Sequence, residues 1–269
     1  MTAPDVVEDV ALRRADVLAG LLAEDAPRRR AALAAAAAHG WLRRDPHTVV
    51  RAVRLDPAAG SLQHRALARG LDASPRSGLV FLGDREGALL FASTEAPGSS
   101  LGAETDALLR TEARSRGLSV QAVGTARHDR RDDDLLPTAR RAVLAASIVH
   151  SLPDGAGGGD IADLGTWVLL ASVGADTSQL GTLSPAAATL LERGDDVQRR
   201  TVEAYLDVRG SVREACEILH IHRTTLYYRL ENLPEAVRDA LDDGLARSTL
   251  HLCLKLVRFR GGLEGRRAS

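Results

Sequence analysis

Hydrogen-bond donors and aromatic rings are concentrated at residues 222–229, HRTTLYYR, in a chain that is only 3% aromatic. Arg223 can donate two parallel hydrogen bonds to a guanine edge or bind a phosphate. Thr225 and the tyrosine hydroxyls can donate to phosphate oxygens. The rings of Tyr227 and Tyr228 can also contact a thymine methyl group. These residue types therefore predict a surface suited to nucleic acid.

The segment around these residues is positively charged, as contact with nucleic acid requires, although the chain as a whole is slightly acidic. The 269 residues contain 35 basic and 36 acidic side chains, a formal net charge of −1. Contact with an anionic polymer must then come from a local patch. Between Arg209 and Leu230 there are four arginines against two glutamates, a balance of +2.

Residues 211–233 have the pattern of a helix-turn-helix. Ser211 and Glu214 form a capping-box pair at the start of a first helix. Pro234 ends the second helix, because it disfavours helical geometry at the preceding residue. We therefore predict a recognition helix over 222–232, whose first turns would enter a major groove. The apolar positions that would pack the two helices together are Val212, Ala215, Leu219, Ile221, Leu226 and Leu230.

The elements upstream predict an α+β chain. Helical periodicity covers 5–24, with Val7, Val10, Val17 and Leu21 on one face, and 27–40. The next segments read as strand 48–56, helix 58–70, hairpin 78–93, helix 101–116 and strand 120–127, and 135–152 is a further helix. This order is the ferredoxin-like βαββαβ pattern, followed by an all-α region. The predicted domains are N-terminal helices 1–45, an α/β domain 46–175 and a helical domain 176–269.

Several other motifs favour plain structural readings. His220 and His222 lie two residues apart with no third ligand, so no metal site is predicted. The run DGAGGGD, 154–160, is typical of a loop, and HDRRDDD, 128–134, of residues that cap and solvate a helix start. Cys216 and Cys253 fit small buried thiols. No leader or membrane-spanning run is recognised, so a cytoplasmic location is expected.

The C-terminal motifs resemble the helix-turn-helix of the PucR/CdaR family of bacterial transcription regulators. The likeness rests on VEAYLDVRGSVREACEILHIHRTTLYYRLENL and the later DDGLARSTLHLCLKL, with weaker similarity that extends over residues 18–257. The resemblance implies a DNA-binding regulator whose N-terminal domain is a degenerate GGDEF-like module. It implies double-stranded DNA as partner, a homodimer or higher homo-oligomer, a small-molecule effector, no membrane and no cofactor. The DNA-binding residues expected are Ser211, Arg213, His222, Arg223, Thr224, Thr225, Tyr227, Tyr228 and Arg229.

Departures from the family pattern make the second helix less basic than is typical: the chain has Tyr227 where arginine is frequent, and Glu231 and Asn232 where basic residues are. We therefore expect modest affinity from one copy and a dimer on DNA. An assembly protein that uses these helices only for protein contacts is one alternative. A divergent nucleotide cyclase is the other alternative. It is disfavoured because the expected hairpin tip, 83–87, lacks a glycine pair and places Arg85 between its carboxylates. Asp56 would be a turn residue rather than a metal ligand.

Overall fold

The computed structural model describes residues 14–56, 59–74, 77–152, 159–172 and 180–265. The chain divides into two compact units, Met1–Val168 and Leu169–Ser269. The first unit is mixed α/β and the second is helical. In the described residues no helix combines the length and apolar character needed to cross a bilayer.

The first unit begins with helical residues 14–20 and then alternates helices with strands. Val17 and Leu21 pack into its core, while Val7 and Val10 of the predicted first helix lie outside the described residues. The remaining elements are α1 (Ala26–Ala38), β1 (Thr48–Leu55), α2 (Ser61–Ala73), β2 (Val80–Arg85), β3 (Ala88–Thr94), α3 (Leu101–Ser115), β4 (Val120–Arg127) and α4 (Leu136–Ser151).

The four strands form one antiparallel sheet in the order β2-β3-β1-β4. One face packs on α2 and α3 through residues such as Phe91, Leu67 and Leu109. The other face packs on α1 and α4. Helix α4 lies so close to β4 that a Cβ at Gly124 would overlap the backbone of α4, which explains the glycine in mid-strand.

The β2–β3 hairpin differs in detail from the expected tip at 83–87. Its turn consists of Glu86 and Gly87, whose φ angles of 53° and 73° suit a tight two-residue connection. Gly83, with φ 139°, lies further down β2 at a shift of register with β3. It therefore belongs to a β-bulge. Asp84 and Arg85 are paired with β3 rather than presented at the tip.

The acidic run at 128–134 differs in part from expectation, whereas most of the glycine-rich run at 154–160 lies outside the described residues. Asp134 is buried, accepts a hydrogen bond from the Leu136 N–H (2.9 Å) and pairs with Arg29 Nε (2.7 Å). It ties α1 to the start of α4 and is not solvated as predicted. Residues 154–158 of the glycine-rich run lie outside the described part, whereas Asp160 forms an isolated parallel bridge with Thr125.

A buried ion cluster joins the sheet to α3. The side chain of Arg51 on β1 is 2% exposed and donates to both carboxylate oxygens of Glu95, at 2.5 and 2.9 Å. Its Nε also donates to Asp106 on α3 (2.8 Å). Burial opposes the charged form of Glu95, but the hydrogen bonds and charge of Arg51 outweigh it, so the pKa of Glu95 lies below its usual value. Each buried charge therefore depends on its partner.

The second unit is built from helices, most of them short. α5 (Gly165–Ser172) spans the division between the units. The helices that follow are α6 (Leu180–Leu183), α7 (Pro185–Arg193), α8 (Asp196–Asp207), α9 (Val212–Leu219), α10 (Arg223–Glu231), α11 (Glu235–Asp242) and α12 (Gly244–Gly265). Leu250, Cys253 and Leu254 of α12 enter the core, while Leu245 and Leu252 are exposed. Cys216 is only half-buried, unlike the buried thiol predicted there.

We predict that Glu95→Ala lowers the free energy of unfolding by about 3–5 kcal/mol, because it leaves the Arg51 charge buried without its bidentate partner. The measurement is urea denaturation followed by circular dichroism. The contribution of Glu95 is present above the ordinary pKa of glutamate and is lost as the pH falls through the lowered value.

The matched control for this variant is Asp16→Ala, which breaks an exposed pair with Arg28 (3.2 Å). That pair should contribute less than about 1 kcal/mol. Equal losses in the two variants would contradict the role assigned to the buried cluster.

Candidate nucleic-acid interface

Helices α9 and α10 form a helix-turn-helix joined by residues 220–222. His220 ends α9 in the left-handed conformation, with φ 53°, and the Ile221 N–H returns to the Cys216 carbonyl (3.1 Å). The chain enters α9 through Gly210, whose φ is 83°. Glycine suits this left-handed conformation, and a Cβ there would also crowd the end of the Arg247 side chain and the ring of Tyr205.

A small apolar core fixes the angle between the two helices. Ala215 of α9 and Leu226 of α10 are fully buried, and Val208 at the end of α8 completes the contact. Alanine at the contact lets the helices approach closely. Half-buried side chains surround this core: Tyr205, Val212, Cys216, Leu219, Ile221 and Leu230.

Both helices are capped by residues from the predicted DNA-binding set. The Ser211 side chain accepts from the Glu214 N–H (3.4 Å). The return bond expected of a capping box is replaced, because the Ser211 N–H donates to Val208 O (3.0 Å) and the Glu214 carboxylate lies 4.0 Å from Arg209. His222 caps α10, and its Nδ1 accepts from the Thr224 N–H (3.4 Å).

The outward side of α10 carries the remaining predicted contacts. Arg223, Thr224 and Thr225 are exposed on the first turn. Tyr227 and Tyr228 are 50% and 67% exposed. Neither tyrosine is therefore buried within the domain.

The arginines in and just before α9 are paired with glutamates, whereas the arginine at the start of α10 is not. Arg209 and Arg213 lie 4.0 and 3.6 Å from Glu214 and Glu217. The side chain of Arg223, by contrast, has no ion pair or hydrogen bond with any residue the structure describes. The positive charge at the start of α10 is therefore the part of the local excess that is available to a ligand.

Arg229 lies apart from the exposed group. It is half-buried, and its Nη1 donates to the Thr201 hydroxyl on α8 (3.3 Å). At least one donor of this side chain is thus engaged within the domain. Its other nitrogens keep the capacity to donate to a phosphate.

Two residues near the helix-turn-helix, Arg247 and Ile218, were not identified from the sequence pattern. Arg247 of α12 lies over the ring of Tyr205, 5.6 Å from its centroid, and supports the chain where it enters α9. Ile218 on α9 is 54% exposed, off the buried face. The sequence could have predicted this exposure, because Ile218 falls outside the apolar spacing of Val212, Ala215 and Leu219. Arg247 carried no such signal, because its contact joins residues distant in the chain.

We predict that Leu226→Ala destabilises the C-terminal unit by about 2–5 kcal/mol, because it empties the contact with Ala215. Thr225→Ala, an adjacent exposed change, should cost no more than about 0.5 kcal/mol. Urea denaturation of the full chain measures both values. A Leu226→Ala variant as stable as Thr225→Ala would show that this contact does not hold α10.

One comparison, with a family model, agrees with the geometry of this unit. Residues 198–256 match the family model of the PucR C-terminal helix-turn-helix domain. A solved structure, the regulator of polyketide synthase expression from Bifidobacterium adolescentis, is 16% identical, with 97% of this chain and 95% of that chain covered at a TM-score of 0.34. A search of curated proteins gives no match. Residues 198–256, from α8 into α12, are therefore similar to the PucR C-terminal helix-turn-helix domain.

Proposed function

We propose that the protein is a sequence-specific, DNA-binding transcriptional regulator that inserts α10 into a major groove. The observation that carries the proposal is the outward side of α10, where an unpaired arginine, two threonines and two exposed tyrosines stand on the second helix of a PucR-type helix-turn-helix. Such a helix places its N-terminal residues against base edges.

The side chains take different roles in this proposal. Arg223 reaches a guanine edge or a phosphate, and Thr224 and Thr225 contact the same groove from the first turn. Tyr227 and Tyr228 bind phosphate, sugar or a thymine methyl. The caps, Ser211 and His222, and the two flanking arginines, Arg213 and Arg229, contact the DNA backbone and set the register of the helix.

We further propose that the protein binds as a homodimer or a higher homo-oligomer. Glu231 and Asn232 follow the exposed tyrosines, so one recognition helix offers little positive charge. Phosphate contacts supply much of the affinity for DNA, and a weakly basic helix has few of them. Two copies on two half-sites would supply the missing affinity.

The N-terminal unit is proposed to be a ferredoxin-like, degenerate GGDEF-like module that senses an effector or mediates assembly in the cytoplasm. Its elements run strand, helix, strand, strand, helix, strand, and β1 lies between β3 and β4. A non-catalytic role is supported by the β2–β3 turn, where Glu86 and Gly87 stand without a glycine pair. Asp84 and Arg85 remain in the strand.

The test is to capture genomic fragments of the source organism with the full chain and sequence them. We expect a shared motif, arranged as an inverted repeat. Arg223→Ala and Tyr228→Ala should each weaken binding to that motif by roughly 5- to 150-fold, since contacts of this kind are worth about 1–3 kcal/mol. Gel shifts at two salt concentrations measure the loss.

The control variant is Arg193→Ala, an exposed arginine on α7 outside the helix-turn-helix. It should capture the same motif as the wild-type chain. Capture of the same unsorted DNA by every variant, or of none by the wild type, would reject the recognition-helix assignment. The helices would then be assigned to protein contacts.

A further inference from the structure

The C-terminal unit contains a cleft of about 560 Å³ between the start of α7, α11 and the start of α12. Its walls are mostly apolar and small, and include Leu183, Ala236, Leu245 and Ala246. Pockets for small molecules fall in the range of roughly 300–1,000 Å³ and have mainly apolar walls. Leu183 and Leu245 remain 45% and 79% exposed at its edges.

The charged residues of the cleft have one sign. Asp239 and Asp243 line it, and no basic side chain does. Asp243 is partly used, since its Oδ1 accepts from the N–H groups of Leu245 (3.0 Å) and Ala246 (2.7 Å). The carboxylate of Asp239 has no hydrogen bond or ion pair with any residue in the described ranges. An unpaired carboxylate thus stands beside an apolar surface.

We propose that this cleft binds a small organic cation with a compact apolar body. The hydrocarbon part would cover the alanine and leucine walls, and an ammonium group would pair with Asp239 at the rim. An anion of the same shape would face two carboxylates and no cation. A neutral apolar molecule would fill the walls but leave the charge of Asp239 unpaired.

The position of the cleft connects it to α10. α11 carries Ala236 and Asp239 on the cleft side and follows α10 after Leu233 and Pro234. Arg238 Nη1 on α11 donates to the carbonyl of Glu231 at the end of α10 (2.8 Å). An occupant that displaces α11 would therefore act on the helix that faces outward. A resulting change in DNA affinity rests on the proposed function, whereas binding to the cleft does not.

The test uses two rigid probes that share a hydrocarbon body, 1-adamantylammonium and 1-adamantanecarboxylate, titrated calorimetrically into the full chain without DNA. We expect saturable binding of the ammonium and none of the carboxylate. Asp239→Asn should weaken ammonium binding by roughly fivefold, as expected for a partly exposed ion pair. Ala236→Phe, which fills the cleft from an exposed position, should abolish it.

Asp242→Asn is the matched control, an exposed aspartate on the same helix that does not line the cleft. It should bind the ammonium like the wild type, and thermal melting should show all three variants folded. Equal binding of both probes, equal loss in the two Asp→Asn variants, or no saturable ammonium binding would overturn the proposal. A changed oligomeric state in Ala236→Phe with ammonium binding retained would also overturn it and assign the cleft to a second copy.

Discussion

The burial of Leu226 against Ala215 is the contact on which the outer surface of the C-terminal unit depends. It fixes the rotation of α10 about its own axis, so that Arg223, Tyr227 and Tyr228 point away from the core. Because a helix repeats every 3.6 residues, a buried residue at one position decides which neighbours are exposed. The conformation of Gly210 sets the direction from which α9 reaches this contact.

Electrostatics then distinguish the two helices. α9 pairs its arginine, Arg213, with its own Glu217, a local pairing available to residues four apart on a helix. α10 leaves Arg223 unpaired at its N-terminal end, where backbone N–H groups also favour an anion. A chain with a net charge of −1 can therefore present a local positive charge without being basic overall.

The N-terminal unit relies on a different kind of contact. Its sheet is closed on one face by α4, which approaches β4 at Gly124, and is tied on the other face to α3 by Arg51. A buried arginine with two carboxylate partners adds little net stability over an apolar residue, but it penalises any arrangement that separates the three groups. This network therefore favours one placement of α3 on the sheet.

The sequence by itself determined the elements and the orientation of α10. Apolar residues at helical spacing predicted that Leu226 and Leu230 face inward, because that period is a local property. The exposure of the two tyrosines follows from it only once the neighbouring helices are placed. The alternation in 48–56 and 120–127 likewise indicated strands. The particular roles of the DNA-contacting side chains remain predictions.

Tertiary structure alone decided the contacts between distant residues. The Gly83 bulge depends on pairing with β3. The Ser211 N–H donates to the Val208 carbonyl and not to the Glu214 carboxylate. Arg51 meets Glu95 and Asp106 only when β1, β3 and α3 assemble. The cleft beside Asp239 exists because α7, α11 and α12 converge, and no spacing along one helix encodes a gap between three.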